Sequence, residues 1–170
     1  MPKNKRGNTD LNFLIGINKP AGMTSHDVVN KIRNITGEGR VGHMGTLDPF
    51  ATGVLLIGVG SAARLNSYLE NHDKTNIATS DFGKNTNTYD SEGEVTQTFD
   101  TDDRIYDKDF ANEYLAKIVG KQMQVPPAYS AIKMDGKAAY KSARKGNSPK
   151  LEPREIEIFS AKLMSIHDNS

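Results

Sequence analysis

The first regular pattern in the chain is "FLIGINKP", a short apolar run ended by Lys19-Pro20, and it predicts a buried strand that stops there. "MTSHDVVNKIRNITG" then repeats Val28, Val29, Ile32 and Ile35 at helical period. Thr24 and Asp27 have the spacing of a capping box and Gly37 supplies a stop, so a helix is predicted between them. In "EGRVGHMGTLDPFATG" the periodicity is lost; the stretch reads as a long glycine-punctuated loop with room for one helical turn after Pro49. "VLLIGVG" is almost continuously apolar and predicts a strand buried on both faces. "SAARLNSYLEN" follows as a helix capped by Ser61, with Ala62, Leu65, Tyr68 and Leu69 inward.

Further on the pattern weakens. "KTNIATSDFG" has strand-like spacing, but of Asn76, Ala78, Ser80 and Phe82 on one face only two are apolar. "GEVTQTFD" predicts a strand with Val95 and Phe99 on one side. "DFANEYLAKIVG" predicts a helix with Phe110, Tyr114 and Ile118 on one stripe and Gly120 at its end. A hairpin turning at Asp135-Gly136 is expected next, then a short basic helix ending near Gly146, and "REIEIFSAKLMSI" closes as one strand or two. Strands and helices mix without strict alternation and there is no internal repeat, which makes the class α+β.

Composition narrows the chemistry. With 170 residues the chain is long enough for one domain with its own core. It has no cysteine, which removes disulfides, thiolate zinc sites and cysteine nucleophiles and fits a reducing, cytoplasmic setting. The four histidines show no metal-ligand spacing, so no metal is expected. Residues 1–10, "MPKNKRGNTD", read as a disordered basic tail; no apolar segment follows that would make a secretory signal, and no run reaches membrane-spanning length.

Net charge is +1, so a nucleic acid would have to meet a local patch. Residues 130–154, with Lys141, Arg144 and Lys145 among them, sum to +5, whereas residues 90–109 sum to −6. From charge alone, two solvated surfaces explain this better than an RNA-facing and an RNA-averted side do.

Three motifs suggest other chemistry. "GEGRVG" is a literal G-x-G-x-x-G but follows a helix, where a nucleotide fingerprint has no strand to work from. "GVGSAA" does end a strand and open a helix, with Asp81 about where a ribose-binding acid would stand, and so offers a dinucleotide-binding alternative. "SAIK", Ser130 to Lys133, matches the S-x-x-K of acyl-serine enzymes, but the prolines before it and Asp-Gly after it favour a hairpin over the helix start that motif needs. In "GHMGTLDPFATG" Asp48 is the one carboxylate. It reads either as the cap of a turn or helix before Pro49 or as a reacting group.

Four segments in order, "INKPAGMTSHDVV", "GRVGHMGTLDPFATGVLLIGVGSAARL", "FGKNTNTYDSEGEV" and "QVPPAYSAIKMDGKAAYKSARKG" running on to "PREIEI", resemble the bacterial tRNA pseudouridine-55 synthases. The resemblance implies a mainly antiparallel pseudouridine-synthase-like sheet flanked by helices, occupying residues 11–170 and incomplete at its C-terminus. It implies isomerisation of a uridine in the tRNA T-loop by a monomer, with no cofactor. Asp48 would be the essential carboxylate, as nucleophile or as base. His43 would hold the loop with its base flipped out, and Gly42 and Lys19 would also line the substrate site. Arg40, Lys141, Arg144 and Lys145 are the candidates for contact with the RNA backbone.

Two departures stand out. Where the family has K-x-Y, with a tyrosine stacking on the target base, this chain has "KTN", and Asn76 has no face to stack on. With Ser80 in place of the usual aliphatic, impaired activity and a loosened strand are expected. The chain also stops at "MSIHDNS", before the family's later tyrosine and arginine that face the aspartate, so an inactive relative that only binds RNA is the alternative.

Overall fold

The computed structural model describes residues 7–69, 72–125, 133–134, 137–138 and 152–167. They fall into two compact units, within residues 1–77 and 78–170. The class is α+β as expected: every strand pairing within the sheets is antiparallel.

The first unit is built on a three-stranded sheet of order β1-β3-β2, from β1 (Phe13–Lys19), β2 (Val41–Met44) and β3 (Gly53–Val59). Helix α1 (Ser25–Thr36) forms as its caps dictate. Thr24 accepts from the Asp27 amide while the Asp27 carboxylate accepts from the Thr24 amide, and Gly37 closes the helix in the left-handed conformation at φ 72°. The register sets Ile15 and Ile17 opposite Ile57 and Leu55, and Val41 and His43 opposite Val59 and Ile57, so these side chains share one face. The core lies on that face, where Val28 and Val29 of α1 cluster with Val41, Leu55, Ile57 and Val59.

Several expectations are corrected by this packing. Because α1 covers one face only, β3 is not buried on both: Val54, on the opposite face, is 79% exposed. Phe13, Leu14 and Ile15 of β1 are exposed because β1 is an edge strand and the core is centred on β3. Ile35 lies off the buried stripe of α1, also exposed. The expected loop 38–53 contains β2, whose four residues carry too little apolar pattern to be read as a strand.

The stretch after β3 is a 3₁₀ segment, Gly60–Leu65, running into a single helical turn α2 (Asn66–Leu69), with Leu65 and Tyr68 exposed. Ser61 is not its cap; its amide donates instead to the Asn12 side chain, 2.7 Å away. A Cβ on Gly58 would meet the Ala62 carbonyl at 2.7 Å, and one on Gly60 the Leu11 carbonyl at 2.0 Å, with Gly60 at φ 65°. Close packing thus accounts for both glycines of "GVGSAA". The strand that should follow them does not form either, since residues 73–82 are irregular and exposed. The dinucleotide-binding reading therefore loses its structural context.

Gly7 and Thr9 are tied to the residues that follow α1. Gly7 donates to the Gly37 carbonyl (3.0 Å) and accepts from the Gly39 amide (2.8 Å), a parallel bridge that lays this segment along the exit of α1.

The second unit holds three strand pairs: β4 (Lys84–Thr86) with β5 (Val95–Thr98), β6 (Gly120–Gln124) with β9 (Arg154–Ile158), and β7 (Lys133–Met134) with β8 (Lys137–Ala138). The last pair flanks Asp135-Gly136, which itself lies outside the described residues, as does the expected basic helix. Helix α3 (Lys108–Lys117) is capped by Asp107, which accepts from the Phe110 amide at 2.7 Å. It ends at Lys117, before Gly120, because Gly120 with φ 109° opens β6. Neither β4 nor β6 was expected, since "KNT" and "GKQMQ" have almost no apolar content and form only by pairing.

Candidate active site

Asp48 lies in the loop between β2 and β3, which turns out of β2 at Gly45 (φ 91°) and into β3 at Gly53 (φ 129°). No helix begins at Pro49. The Asp48 carbonyl accepts from the Ala51 amide at 3.1 Å, closing a turn, while its exposed carboxylate makes no hydrogen bond among the described residues. The helix-cap reading of Asp48 is thereby removed: the carboxylate does no structural work that the geometry reveals.

Its neighbours, in contrast, are tied down on both sides. Before it, the Ser25 hydroxyl donates to the Leu47 carbonyl at 3.1 Å and accepts from the Leu47 amide at 3.0 Å. The Leu47 side chain also packs against the core. After it, the Pro49 carbonyl accepts from the Gly22 amide at 2.8 Å and from the Lys19 ammonium at 3.2 Å. An exposed carboxylate on a segment anchored to α1 and to the end of β1 is presented to solvent from a rigid base. Chemically, such a group can attack an electrophilic carbon or accept a proton.

Lys19 is fully buried, and its three ammonium protons are matched by the carbonyls of Pro20 (3.0 Å), Met23 (2.6 Å) and Pro49 (3.2 Å). No donor remains for a substrate. Lys19 therefore acts as a backbone tie in this structure, because an ammonium has only three donors and all are used.

His43 is half-buried near the end of β2, and its Nδ1 lies 2.6 Å from the Gly45 carbonyl. A carbonyl only accepts, so Nδ1 carries the proton; in the neutral ring Nε2 is left as an acceptor. Gly42, also in β2, has its nearest neighbour, the Ala63 Cβ, 3.9 Å from where a side chain would begin. The fold would therefore accept a small side chain there.

Arg40 precedes β2 with its side chain 48% exposed. Its Nη2 donates to the Asn8 side chain and its Nε lies 3.5 Å from Glu38 Oε1. Glu38 was not singled out from the sequence, and its side chain is fully buried. It accepts from the Arg40 amide (2.8 Å), the Thr9 amide (2.7 Å) and the Thr9 hydroxyl (2.9 Å). Those backbone donors, with the hydroxyl and the guanidinium, hold its carboxyl down at about 2 from an ordinary 4.5. A lone Glu between two glycines after a helix stop was the available signal. Ser25 was overshadowed by the capping box beside it.

Asn76 lies in the exposed irregular stretch at the end of the first unit, and no hydrogen bond ties it to the Asp48 loop among the described residues. Lys141, Arg144 and Lys145 lie outside those residues.

A carboxylate held in a β-loop over a helix-backed antiparallel sheet is the arrangement against which comparison with known proteins becomes informative. Residues 33–170 match the TruB family pseudouridylate synthase N-terminal domain, and the chain belongs to that family. It is 42% identical over 156 residues to the tRNA pseudouridine synthase B of Syntrophotalea carbinolica, covering 92% of this chain and 50% of that protein. With the protein of the same name from Ruegeria pomeroyi the identity is 44% over 157 residues, covering 91% and 50%. The chain thus spans about half the length of the curated relatives it matches. Among solved structures, a Cbf5–Nop10–Gar1 complex is 25% identical over 71% of this chain and 30% of that one, with a TM-score of 0.46. No described helix is long and apolar enough to cross a membrane.

Proposed function

We propose that this chain carries the aspartate-bearing part of a tRNA pseudouridine synthase, acting on a uridine of the T-loop with Asp48 as the reacting carboxylate. The observation that carries the reading is the exposed, unbonded Asp48 carboxylate on a loop anchored at Leu47 and at Pro49. The curated relatives named tRNA pseudouridine synthase B support the substrate class.

In this reading the reaction moves uracil from its N1 link to a C5 link on the same ribose, and no atom is gained or lost. A flipped-out uridine meets Asp48, which attacks carbon or removes a sugar proton. His43, its ring fixed by Gly45, offers Nε2 to the RNA, and Gly42 leaves room for the backbone to approach. Arg40 offers its exposed guanidinium to a phosphate, and Lys141, Arg144 and Lys145 are further candidates for contact with RNA phosphates. Asn76 occupies the place of the family's stacking tyrosine and can contribute only hydrogen bonds.

The test is tritium release from 5-tritiated uridine in a T-loop hairpin, with Asp48→Ala as the control. Release that disappears in Asp48→Ala supports the reading. No release from the folded 170-residue chain, with hairpin binding retained, favours the RNA-binding alternative.

A further inference from the structure

The Asp48 carboxylate makes no hydrogen bond among the described residues, so whatever holds it in place acts through the backbone of its loop. On its N-terminal side, the Ser25 hydroxyl pairs with both backbone groups of Leu47, at 3.1 Å and 3.0 Å, much as a neighbouring strand would. Ser25 is the first residue of α1 and only 3% exposed, and α1 is held on the sheet by Val28 and Val29, which pack with Val41, Leu55, Ile57 and Val59. The hydroxyl is therefore delivered from a rigid element. The loop it grips has a glycine at positive φ at each end, Gly45 and Gly53, and such residues turn easily once an anchor is lost.

We propose that Ser25 is a positioning residue for Asp48: through the paired backbone of Leu47 it sets the direction from which the carboxylate meets the uridine. This rests on the reading of Asp48 as the reacting group. Ser25 touches neither substrate nor reacting atoms. It limits the arc through which the next residue can swing, and a misplacement of about 1 Å at a reacting group costs on the order of a hundredfold in rate.

The experiment compares the wild-type chain with Ser25→Ala and Thr24→Ala. Thr24→Ala serves as the structural control, since it removes the helix cap and leaves the Leu47 contacts alone. The first readout is amide exchange at Ala51, whose amide bonds to the Asp48 carbonyl and not to Ser25. Ser25→Ala should speed that exchange by about tenfold or more, and Thr24→Ala by less than about twofold. The second is single-turnover pseudouridine formation, which Ser25→Ala should slow by about ten- to a hundredfold while hairpin affinity stays within about twofold.

Unchanged Ala51 exchange in Ser25→Ala overturns the proposal, and so does an equal change in Thr24→Ala. A loosened Ala51 with a full reaction rate also overturns it. If the wild-type chain forms no pseudouridine, the proposed function fails, while the exchange comparison still decides whether Ser25 orders the loop. Should Ser25→Ala not fold, Ser25→Cys takes its place with an expected threefold or so increase in exchange, because a thiol is nearly the same size but a weak donor.

Discussion

The ammonium of Lys19, at the end of β1, lies 3.2 Å from the carbonyl of Pro49, the residue that follows Asp48. With its other two protons on Pro20 and Met23, this one side chain joins the strand end, the approach to α1 and the loop that carries the candidate carboxylate. A Lys19→Met change fills the same space, leaves the Pro20 and Met23 carbonyls without their donor and leaves the Pro49 carbonyl with the Gly22 amide alone. The expected loss is about 3 kcal/mol of stability, read by urea denaturation, with Lys19→Arg failing to recover it because a planar guanidinium cannot reach three converging carbonyls. A variant as stable as wild type would mean that water replaces the ammonium without cost.

Glu38 predicts a pH effect with a definite sign. Its carboxyl is held at about 2 in the folded chain, below an ordinary 4.5, chiefly by the Arg40 and Thr9 amides. Its stabilisation is complete above the unfolded value of 4.5 and is lost as pH falls through about 2. Glu38→Gln should therefore flatten the decline of stability between those limits and lower stability at neutral pH. It should also free residues 7–9, detected as faster exchange at the Thr9 amide. Parallel curves for the two proteins across that range would contradict the assignment.

Gly60 tests the packing that displaces the nucleotide-fingerprint reading. At φ 65°, with the Leu11 carbonyl 2.0 Å from where a Cβ would sit, Gly60→Ala must move the start of the 3₁₀ segment or the residues before β1. Destabilisation by more than about 2 kcal/mol is expected, seen as a lower melting temperature with no effect of added dinucleotide in either protein.

Asn76→Tyr probes the departure from the family pattern. The side chain is exposed and the segment irregular, so stability should stay within about 0.5 kcal/mol of wild type. Stacking on an unpaired base contributes about 1 to 3 kcal/mol, so hairpin affinity should rise by roughly tenfold, as measured by fluorescence anisotropy. Equal affinity would show that position 76 does not meet the flipped base.

Local signals carried the first unit well. The capping box, the helical period of Val28, Val29 and Ile32, and the stop at Gly37 are short-range features, and α1 formed between them as expected. β1 likewise ended at Lys19, and β3 began at Gly53, one residue before the apolar run, because apolar runs and their breakers act within a few residues. Asp48 could be named from its motif, yet its two readings could not be separated there. Whether an Asp-Pro starts a helix depends on what the next residues pack against.

What the amino-acid order determined by itself was the α+β class, the positions of β1, α1 and β3, and the one carboxylate in the glycine-rich loop. The tertiary structure alone decided which face of β3 is buried, that "VGHM" becomes a strand, and that residues 74–83 do not. It also decided that Lys19 and Glu38 are interior groups satisfied by backbone, and that Ser25 and Pro49 flank Asp48 with anchors. These outcomes depend on partners about twenty to thirty positions away, and a hydrogen bond of that range leaves no periodicity in the chain to be read.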